Sequence, residues 1–97
     1  MENMFDCAMV TGASSGLGEE FARQLAGSVG KLVLVARRVE RLERIAESLR
    51  VDFPQTAVMV IAADLAKAGD RVSAMARAAE AGFAPDLLVN NAGLGDY

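Results

Sequence analysis

Gly12, Gly16 and Gly18 stand in the run Thr11-Gly12-Ala13-Ser14-Ser15-Gly16-Leu17-Gly18, between a short apolar segment and an amphipathic one. Strand, glycine turn and helix in that order aim a helix N-terminus at a phosphate, with its unpaired N–H groups and partial positive charge. One glycine lets the chain reverse, one removes a Cβ that would hold a pyrophosphate away, and one lets helix and strand pack closely. The Ser14 and Ser15 hydroxyls are placed either to cap the helix or to donate to phosphate. An ordinary strand-to-helix turn also carries glycines, and the spacing here is not G-x-G-x-x-G. The rest of the chain has to decide.

Three further stretches follow apolar segments: Arg37-Arg38, Asp64-Leu65 and Asn90-Asn91-Ala92-Gly93. A dinucleotide site that selects an unphosphorylated ribose sets an acid about 20 residues past the glycines, bonded to the 2′-OH. Two arginines occupy that place here. A guanidinium suits a 2′-phosphate, and solvated cations with no such task would sit badly at the start of a helix. The pair therefore predicts NADP(H). Asp64 read alone is equally a helix N-cap or a loop acid, and Asn90 and Asn91 read alone are a polar turn.

With 97 residues the chain is at most one small domain. Its 53% hydrophobic content suits a sheet buried on both faces, or a piece of something larger. A net charge of −3 argues against broad nucleic-acid or anionic-membrane binding. There is no histidine and a single cysteine, Cys7, so a zinc site, a His-based triad and an internal disulfide are excluded. Cys7 reads as a small hydrophobe at the start of the first strand. No apolar run approaches the ~18 residues of a membrane span, and the opening residues do not begin a signal peptide. The cytoplasm is the expected compartment.

The elements that must position these groups are legible as alternating segments. Apolar runs at 8–10, 32–36, 57–63 and 87–89 read as strands of the doubly buried kind. The first helix spans 19–26, with Leu17, Phe21, Leu25 and Ala22 on one face. The second covers 40–50, with Leu42, Ile45, Ala46 and Leu49 inward and a solvated face carrying a Glu40–Arg44 pair. Phe53-Pro54 ends it. The third runs from Gly69 or Asp70 to Ala81, with Val72, Met75, Ala76 and Ala79 inward. The alternation predicts an α/β fold: a Rossmann-type parallel sheet of strand order 3-2-1-4, the N-terminal half of a doubly wound fold. All four chemical stretches then lie at the C-terminal ends of strands, where open sheets bind ligands.

Taken together, the Thr11–Gly18 run, Asp64-Leu65 and Asn90-Asn91-Ala92-Gly93 resemble the short-chain dehydrogenase/reductase family, over nearly the whole chain. The resemblance implies that Gly12, Gly16, Leu17 and Gly18 belong to the pyrophosphate turn, with Ser14 and Ser15 near the adenosine ribose and its phosphate. It implies Arg37 and Arg38 at the 2′-phosphate and Asp64 with the Leu65 backbone at the adenine edge. Asn90 would brace the central strands beside the cofactor ribose, and Ala92 and Gly93 would form a close-approach wall. The family's chemistry also needs a serine and a Tyr-x-x-x-Lys pair. Tyr97 is the only tyrosine and the last residue, so no catalytic residue is assigned.

Residues 1–97 are thus expected to form one NADP(H)-binding Rossmann domain, incomplete after its fourth strand. Two readings follow. One is the cofactor-binding portion of an oxidoreductase that moves hydride between NADP(H) and an alcohol/carbonyl pair. The other is a free-standing, non-catalytic nucleotide-binding or structural module. In either case strand 4 presents a bare sheet edge, and strands 1 and 4 an uncovered face, which predicts self-association.

Overall fold

The structure is a computed structural model and describes residues 5–91; Ala92, Gly93 and Tyr97 lie outside the described residues. In chain order the elements are β1 (Cys7–Thr11), α1 (Gly16–Ala26), β2 (Lys31–Ala36), α2 (Val39–Asp52), β3 (Ala57–Ala62), α3 (Ala68–Glu80) and β4 (Leu87–Asn90). The strands form one parallel sheet in the order β3-β2-β1-β4. That is the order the alternation predicts. Thr11 is level with Val35 and Asn90, and Ala36 with Ala62, so the strands end together at one edge.

Each face of the sheet is covered by different helices. Ala8, Val10, Leu32, Leu34 and Val58 meet Ala22 and Ala26 of α1 and Leu42, Ile45, Ala46 and Leu49 of α2. On the other face Cys7, Met9, Val33, Val35 and Ile61 meet Ala74 and Ala78 of α3. α2 buries the stripe its periodicity predicts, but its expected Glu40–Arg44 pair does not form among the described residues. Instead Asp52 of α2 lies 3.1 Å from Arg23 Nη1, and Glu19 of α1 lies 3.6 Å from Arg23 Nε and 4.0 Å from Arg41 Nη2.

Two helices are rotated from the expected phase. α1 buries Gly18, Ala22 and Ala26, leaves Phe21 and Leu25 half-buried, and leaves Leu17 51% exposed. α3 buries Ala74 and Ala78, while Val72 is 71% and Met75 44% exposed and Ala76 and Ala79 also face outward. The cause is the same in both. The sheet already supplies large side chains to the interface, so a close helix can present only small ones; bulkier residues move to its rims. The expectation of a bare strand 1 is corrected as well: Cys7 and Met9 are both buried. On β4, Leu88 is 53% exposed, as expected of that strand.

Two polar locks hold the edge of the sheet away from the strand ends. Thr56 Oγ1, buried before β3, donates to the carbonyls of Ala26 at 2.5 Å and Val29 at 3.2 Å, satisfying the last carbonyl of α1 and tying down the loop that follows it. The Asp86 carboxylate accepts the N–H groups of Asp6 at 3.0 Å and Cys7 at 2.9 Å, tying the entry of β4 to that of β1. These bonds hold the Asp86 carboxyl below its ordinary value of 3.8. Burial, with the nearby Asp86 charge, pushes the Cys7 thiol up.

A carboxyl whose folded value is lowered stabilises the fold fully above its unfolded value, and that contribution is lost as pH falls through the folded one. Asp86→Asn turns an amide N–H toward a backbone N–H. Its melting midpoint is expected below that of the unsubstituted chain at neutral pH, with the gap closing as pH is taken below 3.8. Parallel thermal melts by circular dichroism check this; a gap independent of pH contradicts it.

Candidate functional site

The glycine turn is built around one carbonyl. Gly12 has φ 64, the left-handed region a glycine enters without strain. Its carbonyl accepts from Ser15 N at 3.2 Å, Ser15 Oγ at 3.0 Å and Asn91 Nδ2 at 3.0 Å. Ala13 N bonds Val35 O at 3.1 Å and pins the turn to β2. A Cβ on Gly18 would lie 2.2 Å from the Gly12 oxygen and 2.9 Å from both Ala13 Cα and Asn91 Nδ2, so no other residue fits there. A Cβ on Gly16 would meet nothing within 4 Å. Two different reasons for glycine thus sit two residues apart.

Ser15 is the N-cap of α1, its hydroxyl accepting from Gly18 N at 3.0 Å. That hydroxyl also donates to Gly12 O and accepts from Asn91 Nδ2 at 2.9 Å, which uses its one proton and both lone pairs. Of the two uses open to it, capping is the one realised. Among the described residues Ser14 carries no side-chain bond, and the N–H groups of Gly16 and Leu17, at the first two helical positions, have no partner. The turn therefore offers unpaired donors at the positive end of α1.

Around it the other strand ends contribute. Arg37 and Arg38 are exposed just past β2, and Arg38 is the N-cap of α2 with no side-chain capping bond. Arg41, one turn into α2, donates through Nε to the Ser14 carbonyl. Past β3, Asp64 Oδ1 accepts from Ala66 N at 3.1 Å, its own N–H bonds Asp70 Oδ2 at 2.8 Å, and Leu65 O accepts from Arg71 Nη1 at 2.7 Å. Asp64 is thus a loop acid, and the side chain in the first turn of α3 that takes its N–H is Asp70. Asn90 Oδ1 accepts from Thr11 Oγ1 at 3.1 Å, bracing β4 against β1.

The structure brings Gly12, Ser14, Ser15, Gly16, Leu17, Gly18, Arg37, Arg38, Asp64, Leu65 and Asn90 to one edge of the sheet. Two residues join them that sequence reasoning did not single out. Asn91 is 3% exposed and is turned into the glycine turn. It was visible within the Asn90–Gly93 motif, but which asparagine points inward is set by where β4 ends. Arg41 carried no signal beyond lying on a charged helix. Among the described residues no cluster of acidic, histidine and cysteine side chains could hold a metal.

The family model for short chain dehydrogenase matches residues 6–97. The sulfoacetaldehyde reductase of Chromohalobacter salexigens is 42% identical over 92 residues, covering 94% of this chain and 35% of the reductase. Among solved structures, the L-sorbose reductase of Gluconobacter frateurii complexed with NADPH and L-sorbose superposes with a TM-score of 0.83 at 35% identity, over 94% of this chain and 34% of that one. The alcohol dehydrogenase of the archaeon Thermococcus sibiricus complexed with 5-hydroxy-NADP does so with a TM-score of 0.76 at 36% identity, over 88% and 35%. The chain spans about a quarter to a third of the length of the first curated relatives it matches.

The two glycines separate packing from access. Gly18→Ala drives a methyl into the Gly12 carbonyl and is expected to cost about 3 kcal/mol or more. Gly16→Ala, at a helical position with open space, is expected to leave stability level or raise it by up to about 1 kcal/mol. Urea unfolding of the two variants checks the contrast, and equal losses would contradict it.

Proposed function

The chain belongs to the short chain dehydrogenase family, and from that premise we propose that it is the N-terminal, cofactor-binding portion of an NADP(H)-dependent oxidoreductase. The observation that carries the reading is the exposed pair Arg37 and Arg38 at the end of β2, beside a turn with unpaired donors. The residues present fit such a dinucleotide. The open space at Gly16 admits a pyrophosphate against the start of α1, and the Gly16 and Leu17 N–H groups with the Ser14 hydroxyl donate to it. Arg37 and Arg38 take the 2′-phosphate by charge-assisted bonds. The free carboxylate oxygen of Asp64 and the Leu65 N–H bind the adenine edge, and Asn90 lies beside the ribose. Ser15 and Gly18 shape the turn without touching the ligand. When bound, the nicotinamide supplies hydride transfer to or from an alcohol/carbonyl pair. The residues of this chain supply binding and orientation, and no proton-transfer group is assigned to them.

The second reading, a non-catalytic nucleotide-binding module, shares every one of these contacts. Coding sequence beyond Tyr97 that carries a Tyr-x-x-x-Lys pair decides for the oxidoreductase. We place the protein in the cytoplasm on its one buried thiol; no helix among the described residues is long and apolar enough to cross a membrane. Self-association is part of the proposal. Among the described residues β4 is the end strand of the sheet; it contains no charge or proline and exposes Leu88.

A charge-assisted bond contributes about 1.5–3 kcal/mol, so NADPH is expected to bind about 10- to 100-fold more tightly than NADH. Arg37→Asp should erode or reverse that preference. Calorimetric titration of both dinucleotides checks this, and equal affinities contradict it. Sedimentation at micromolar concentration is expected to show a species larger than the monomer; a monodisperse monomer that leaves a hydrophobic dye dark dismisses self-association.

A further inference from the structure

We propose that Arg41 is a positioning residue for the dinucleotide site, acting through the glycine turn and not on the ligand. The inference rests on the dinucleotide reading above. Along the turn, Ala13 is fixed by its N–H to Val35, and Ser15 by Gly12, Gly18 and Asn91. Ser14 lies between them, and among the described residues the only hydrogen bond it makes is its carbonyl's, to Arg41 Nε. The planar peptide that carries this carbonyl is held on its other side by the Ser15 N–H bond to Gly12, so Arg41 is its second tie, and without Arg41 the turn carrying the hydroxyl assigned to phosphate is held less firmly.

The same guanidinium reaches toward α1, its Nη2 4.0 Å from Glu19 Oε1. One side chain therefore spans the first turns of both helices and the loop between β1 and α1. Arg37 and Arg38 lead directly into α2, so Arg41 holds the arginine pair and the turn in one register. It is not needed to seat the helix. Leu42, Ile45, Ala46 and Leu49 do that, while the Arg41 side chain is 51% exposed.

The test is a double-mutant cycle in the full 97-residue chain, read as Kd for NADPH and for NADH in the cold, with folding verified by circular dichroism. Arg41→Ala is expected to weaken both dinucleotides by a similar factor, roughly five- to tenfold, and to leave their ratio unchanged. Ser14→Ala keeps the backbone carbonyl; it should weaken binding to the parent chain yet add little once Arg41 is gone. A loss confined to NADPH overturns the proposal, because Arg41 would then touch the 2′-phosphate itself. Additive losses, or none from Arg41→Ala, overturn it too. Failure of the unsubstituted chain to bind either dinucleotide overturns the functional reading, and this inference with it.

Discussion

The Gly12 carbonyl is the point on which the C-terminal edge of the sheet depends. A carbonyl with two lone pairs is here shared among the backbone N–H and hydroxyl of Ser15 and the amide of Asn91, from two distant parts of the chain. To gather them, α1 must come so close to the end of β1 that position 18 has room for a hydrogen and nothing more. Close approach in turn dictates Ala22 and Ala26 further along the same face. One electrostatic hub thus sets the helix distance, the helix distance sets residue size, and residue size sets which side of α1 is buried.

The opposite face obeys the same rule with a different helix. Met9, Val33, Val35 and Ile61 fill that layer from the sheet, and α3 settles on them through Ala74 and Ala78. Its larger apolar residues, Val72 and Met75, are thereby turned out. α3 is apolar on two sides and can bury only one of them here.

This explains what could and could not be read in advance. Strand order followed from alternation and handedness, and the α2 stripe from its spacing, because only one arc of that helix is apolar. α3 offered two apolar arcs, Val72-Met75-Ala76-Ala79 and Ala74-Ala78, and periodicity ranks arcs by hydrophobicity where packing ranks them by size. In α1 the same bias favoured Leu17, Phe21 and Leu25 over Gly18 and Ala26, which make the contact together with the expected Ala22. At the C-terminal edge of the sheet, residue types placed the glycines, Arg37, Arg38 and Asp64 correctly at strand ends. Their partners were not legible. Whether Ser15 faces inward depends on Asn91, and Asn91 on a strand that begins at Leu87.

Those partners are far apart along the chain. Asn91 reaches Gly12 and Ser15 across 79 and 76 positions, Asn90 reaches Thr11 across 79, and Asp86 reaches Cys7 across 79. Closing such long loops gains nothing until nearly every intervening element has docked. A chain emerging from the ribosome makes its glycine turn first and receives the amide that completes it 79 residues later. Until residue 91 arrives, Ser15 lacks one of its donors and the turn has no tie to β4. The turn is therefore completed only once β4 has been made, and a nascent chain that carries the whole glycine motif but not yet residue 91 has not assembled this edge of the sheet.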